Sequence, residues 1–130
     1  MKLNADARNH DLTIAACGDA HLIVGARRFS RSLLISTQGI DPDWGPEHFD
    51  ALATTHLQQL LASRCDILLL GAGARQRFPA PALLRPLIEA GVALESMDTA
   101  AACRTFNILV AEGRSVAAGL IITPSPDPAA

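Results

Sequence analysis

The stretch that most constrains this chain runs from Glu95 to Gly113. It reads as the end of a buried strand, an Asp cap, a helix and a glycine stop. Asp98 stands just ahead of the helical run, where a carboxylate accepts from free backbone N–H groups. Gly113 suits the left-handed position that closes a helix. At about 100° per residue, Thr99, Ala102, Cys103, Phe106 and Val110 share one face. Ala101, Arg104, Ile108 and Ala111 occupy the opposite one, which is small and mostly apolar. A helix apolar on both sides is buried between layers or covered by a partner. Arg104 is its single charge, either paired internally or presented at an interface. Small residues around an Arg anchor fit an interface, so Arg104, Ile108 and Ala111 form a candidate contact surface.

The elements around this helix follow from apolar spacing. Asp66-Ile-Leu-Leu-Leu-Gly71 and Val92–Met97 read as strands covered on both faces, and Ser115–Ile122 as a last strand. Phe49, Leu52, Ala53, His56, Leu57 and Leu60 recur at helical spacing behind Pro46, which suits a first helical position. A second helix passes through Leu83, Leu84, Leu87 and Ile88 to Gly91, with Pro86 in its first turn. Ahead of these, residues 11–37 are strand-like and broken by glycines, as in antiparallel hairpins. Arg27, Arg28 and Arg31 fit the charged edge of a sheet. Gln38–Pro46 reads as a loop, and its Trp44 as a ring that plugs the loop into the core. His56 falls on the apolar stripe, where a hydrogen-bonded core residue is expected rather than a ligand or base.

Alternating helices and strands at these loop lengths imply a mostly parallel central sheet with right-handed crossovers. The expected fold is therefore α/β in three layers: that sheet, its crossover helices and an N-terminal antiparallel hairpin layer. One domain is expected over residues 11–122, with residues 1–10 loosely ordered and 123–130, rich in proline, disordered.

Ligands of an open parallel sheet sit outside the carboxyl ends of its strands. Gly71, Gly73, Arg75, Arg77, Asp98 and Thr99 therefore form a candidate pocket. Gly71-Ala72-Gly73 is only part of a dinucleotide motif, because Gln76 replaces the third glycine and Phe78–Pro81 delay the helix. No P-loop, G-x-S-x-G or H-E-x-x-H pattern is present, and the histidines show no metal-ligand spacing. No catalytic residue, cofactor or metal is assigned. Asp98 is read as a structural cap before a catalytic acid.

A net charge of −2 argues against a dedicated nucleic-acid binder. No apolar run approaches the ~20 residues of a membrane span, and the start lacks a secretory apolar region. Cys17, Cys65 and Cys103 lie far apart and form no C-x-x-C pair, which fits reduced, small, buried thiols in a cytosolic setting. A cytoplasmic protein is expected.

Met97-Asp98-Thr99, Ala101-Ala102, Arg104–Leu109 and Glu112–Ala118 resemble a family of small bacterial and archaeal α/β proteins that includes mitochondrial complex I assembly factor 3. The resemblance extends through the Trp44 loop and Gly71-Ala72-Gly73, where the family commonly has Gly-Thr-Gly. It implies a single α/β domain with an extra β layer, and carries over no catalytic residue. Phe106 stands where many members have Tyr, and Ala72 where they have Thr, so two polar groups are missing from the pocket region. The resemblance implies a non-enzymatic interaction or assembly protein with an unidentified protein partner, peripheral to a membrane complex rather than inserted. The alternative is a small-molecule or anion binder using the Gly71/Asp98 pocket.

Overall fold

The computed structural model describes residues 12–18 and 20–123. The segment expected to be loose, 1–10, and all but Thr123 of the expected disordered tail lie outside them.

Eight strands and three helices make up the described chain. The N-terminal part gives β1 (Ile14–Cys17), β2 (Leu22–Val24), β3 (Arg27–Phe29), β4 (Leu33–Ser36) and β5 (Gly39–Asp41). These are followed by α1 (Thr54–Ala62), β6 (Ile67–Gly71), α2 (Arg85–Ala90), β7 (Leu94–Met97), α3 (Thr99–Ala111) and β8 (Val116–Leu120). β1, β2 and β3 form an antiparallel sheet of their own, and the other five strands form a second sheet in the order β5-β4-β8-β6-β7.

That larger sheet is mixed, which corrects the expected mostly parallel arrangement. β8-β6-β7 is parallel, as the short crossovers require, but β4 pairs antiparallel with both β8 and β5. The hairpins thus do two different things: one builds a separate sheet and the other widens the main one. β5 falls inside the segment expected to be loop. Its pairing with β4 is set by a tight turn between Ser36 and Gly39, with the Ser36 hydroxyl accepting from the Gln38 N–H at 3.0 Å.

Both faces of the main sheet are apolar, as the unbroken Leu and Val runs demand. Leu33, Ile35, Leu69, Val116, Ala118 and Leu120 pack against Ala102, Cys103, Phe106 and Val110 of α3 and against Leu22 and Val24 of the small sheet. Residues one step along each strand face the other way. Leu34, Leu68, Leu70, Ala117 and Ile121 meet Leu57 and Leu60 of α1, Leu87 of α2, and Trp44. Trp44 is 1% exposed and donates its indole N–H to the His56 carbonyl at 3.0 Å. Its ring lies over Gly119, where a Cβ would come within 2.5 Å of Cη2. Only glycine fits that central position.

α1 begins at Thr54, not at Pro46. The Pro46 carbonyl instead accepts from the buried Ser32 hydroxyl at 2.6 Å, holding the loop down while Trp44 enters the core. A single 3-10 turn, Phe49–Ala51, intervenes before the chain becomes extended at Leu52 and Ala53. His56 then supplies half of a capping box, its Nδ1 accepting from the Ala53 N–H at 2.9 Å. α2 carries Pro86 in its first turn and ends at Gly91 with φ 71°.

Candidate functional site

The N-terminus of α3 meets the carboxyl ends of β6 and β8, and the meeting is unusually close. A Cβ on Gly71 would lie 2.9 Å from the Thr99 Cα, so glycine is what lets the helix start this near the sheet. Thr99 fastens the junction. Its backbone N–H donates to the Gly73 carbonyl at 2.9 Å, and its hydroxyl donates to the Ile121 carbonyl at 2.7 Å while accepting from the Gly73 N–H at 2.8 Å. Asp98 caps the helix by accepting from the Ala101 N–H at 2.8 Å. At the other end Gly113, with φ 79°, closes α3: its N–H donates to Val110 O and that of Arg114 to Leu109 O, both at 2.9 Å. This is the paired Schellman ending.

A cleft of about 220 Å³ opens beside this junction. Gly73, Asp98 and Thr99 line it together with Ala74, Ala100, Ile121, Ile122 and Thr123, and Cys17 and Gly18 close it from the small sheet. Of the six residues expected there, three are brought together and three are not. Gly71 is packed under Thr99. Arg75 is exposed and does not line the cleft. Arg77 turns to Asp50, forming a 2.8 Å ion pair, and lies 4.4 Å above the Phe49 ring. That contact holds the Asp50 carboxyl below its usual range, chiefly through the hydrogen bond from Arg77. Among the described residues no arginine or lysine lines the cleft, and Asp98 puts a carboxylate at the one helix end that would attract an anion.

Cys17 and Gly18 were outside the expected set because they belong to the small sheet, about 55 residues upstream of the glycine loop. Their approach depends on α3, where Asn107 accepts from the Ile14 N–H and donates to the Ile14 carbonyl, both at 2.8 Å. A polar Asn between Phe106 and Ile108 was the available signal. Among the described residues no group of three or more His, Cys, Asp or Glu side chains is placed to hold a metal ion.

The outer face of α3 carries the other candidate residues. Arg104, Ile108 and Ala111 are all exposed, Ile108 at 57%. Arg104 forms no ion pair among the described residues. The helix is therefore buried on one face only, the Thr99–Val110 stripe, and its second apolar face meets solvent.

Residues 14–121 match the family described as protein of unknown function (DUF498/DUF598), and the chain belongs to that family. It is 44% identical over 70 residues to NADH dehydrogenase (ubiquinone) 1 alpha subcomplex assembly factor 3 of Xenopus tropicalis, a match covering 54% of this chain and 38% of that protein. The matched region thus spans well under half of the relative's length. It is also similar to the 13 kDa major membrane protein of Francisella tularensis, at 28% identity over 100 residues, covering 76% of this chain and 81% of that one. The solution structure of a Bordetella pertussis protein, described as a Mth938-like domain, superposes with a TM-score of 0.78 at 32% identity, covering 96% and 94% of the two chains. The mixed α/β fold is shared with that domain. No helix among the described residues is long and apolar enough to cross a membrane.

Proposed function

We propose that this chain is a non-enzymatic protein-interaction factor of the assembly type, acting in the cytoplasm on a protein partner. The observation that carries the reading is its similarity to assembly factor 3 over 70 residues. The exposed face of α3 supports it further. Ile108 is a large apolar side chain left in water at 57% exposure, beside an arginine with no ion pair among the described residues. Arg and apolar anchors of this kind carry much of the binding energy in protein interfaces. Arg104, Ile108 and Ala111 are the proposed contact residues, and a membrane complex is reached through the partner, at the membrane periphery.

The test compares the partners cross-linked by the native chain with those cross-linked by Arg104→Glu and Ile108→Asp. Both positions face solvent, so far-ultraviolet circular dichroism should be unchanged. Loss of the same partner from both variants is the expected result. An identical set of partners from all three proteins rejects this face as the contact surface.

The anion-pocket alternative receives no support from the cleft, which has an acidic cap and, among the described residues, no lining cation.

A further inference from the structure

Cys17 and Cys103 lie apart in the sequence, yet the fold sets them against each other. Among the described strands β1 pairs with β2 alone, and its other side meets α3. Asn107 occupies that edge, bonding both the N–H and the carbonyl of Ile14. Cys103 lies one helical turn before Asn107, and Cys17 three residues beyond Ile14. At roughly 1.5 Å per helical residue and 3.3 Å per strand residue, these steps are about 6 Å along α3 and about 10 Å along β1. Both thiols belong to one packed cluster: Cys103 is 2% exposed within it, and Cys17 packs partly buried against it. Across the cleft Cys17 faces Asp98, Thr99 and Ala100 at the start of α3, and Cys103 follows one turn after Thr99.

The two environments differ. Cys17 lines the cleft, where a small reagent can reach it. Cys103 is held protonated, first by burial and then by the neighbouring Cys17 sulfur. Cys65 is buried in the other core, across the main sheet, and has no part in the pair.

We propose that Cys17 and Cys103 form a reversible disulfide, closed by a low-molecular-weight disulfide of the glutathione class that enters through the cleft. The Cys17 thiolate attacks one sulfur of the reagent, forming a mixed disulfide and releasing one equivalent of thiol. The Cys103 sulfur then attacks the Cys17 sulfur, and its proton leaves with the second departing thiolate. The protein dithiol is oxidised by two electrons and the reagent disulfide is reduced to two thiols. The new bond fastens the small sheet to α3 at the wall of the cleft, and excess reduced thiol reverses it.

The experiment incubates the native chain with oxidised glutathione at mildly alkaline pH, counts thiols and maps peptides without reduction. The expected result is loss of two of the three thiols, a Cys17–Cys103 linked peptide, and recovery of all three on adding reduced glutathione. Cys65→Ser should leave the linkage intact. Cys17→Ser should abolish it, and because Cys17 is only half-buried this variant keeps the test open if Cys103→Ala fails to fold. A stable glutathione adduct on Cys17 without the linked peptide overturns the proposal. So does a linkage that includes Cys65, or no thiol loss at all.

Discussion

Adding one methyl group at Gly119 should destabilise the domain by about 3 kcal/mol. A Cβ there would meet three atoms of the Trp44 ring, at 2.5, 2.7 and 3.1 Å. The strand cannot retreat, because β8 is hydrogen-bonded to β4 on one side and β6 on the other. The ring must move instead, and it is buried and tied through its N–H to the His56 carbonyl. Overpacking of this kind costs roughly 1–3 kcal/mol, and stretching a buried hydrogen bond adds about 1 kcal/mol. For a domain of this size the sum corresponds to a fall in Tm of about 10 °C. Urea unfolding followed by the fluorescence of the lone tryptophan and by circular dichroism measures it. The mechanism is specific enough to refute. Trp44→Leu also destabilises, but with the ring gone Gly119→Ala should cost under about 1 kcal/mol, a strongly non-additive pair. Additive losses would show that the clash is not the cause.

Other outcomes follow from single contacts. Thr99→Val keeps the shape but leaves the Gly73 N–H and Ile121 carbonyl without their partner, and should cost about 2–4 kcal/mol in the same unfolding assay. Asp98→Ala removes the cap on α3 and should cost about 1 kcal/mol. Burial holds the His56 pKa below its ordinary value, so the unfolded chain takes up its proton first as pH falls. This residue's contribution is present above the usual histidine range and lost as pH falls from about 6.5 toward the folded pKa; the difference between native and His56→Gln stability curves should show that slope. Arg77→Ala should return the Asp50 carboxyl to the ordinary carboxylate range in an NMR titration, because Arg77 is the main cause of its depression.

How much of this was legible in the chain varies with the range of the interactions involved. α3 could be read almost whole, from Asp98 through the stripe Thr99, Ala102, Cys103, Phe106 and Val110 to Gly113, because caps and helical spacing are local. β6 and β8 were legible for a similar reason: a continuous apolar run has few other uses. β7, expected to be covered on both faces, is instead an edge of the main sheet, with Leu94, Ser96 and Met97 only partly buried and Glu95 exposed. β5 was not, since Gly39–Asp41 is short and carries no apolar alternation; it becomes a strand only because β4 is beside it. The early start expected for α1 failed because Ser32 and Gly119, both remote in sequence, decide where residues 44–46 go. The same holds for the cleft. Gly73, Asp98 and Thr99 are positioned by the local β–α junctions, whereas Arg77 is captured by Phe49 and Asp50, and Cys17 is delivered by Asn107. Spacing along the chain contains neither event.

The position of β8 bears on how the protein is made. Among the described strands it is the last to leave the ribosome, yet it stands third of five in the main sheet, between β4 and β6. Until residue 120 emerges, those two strands have no partner to bridge them, and the apolar faces of both await the same missing piece. The nascent chain therefore has local hairpins and helices to form early, but no main sheet to close. Sheet closure has to wait for β8, and a chain that stalls before Val116 leaves the gap at its centre instead of at an edge.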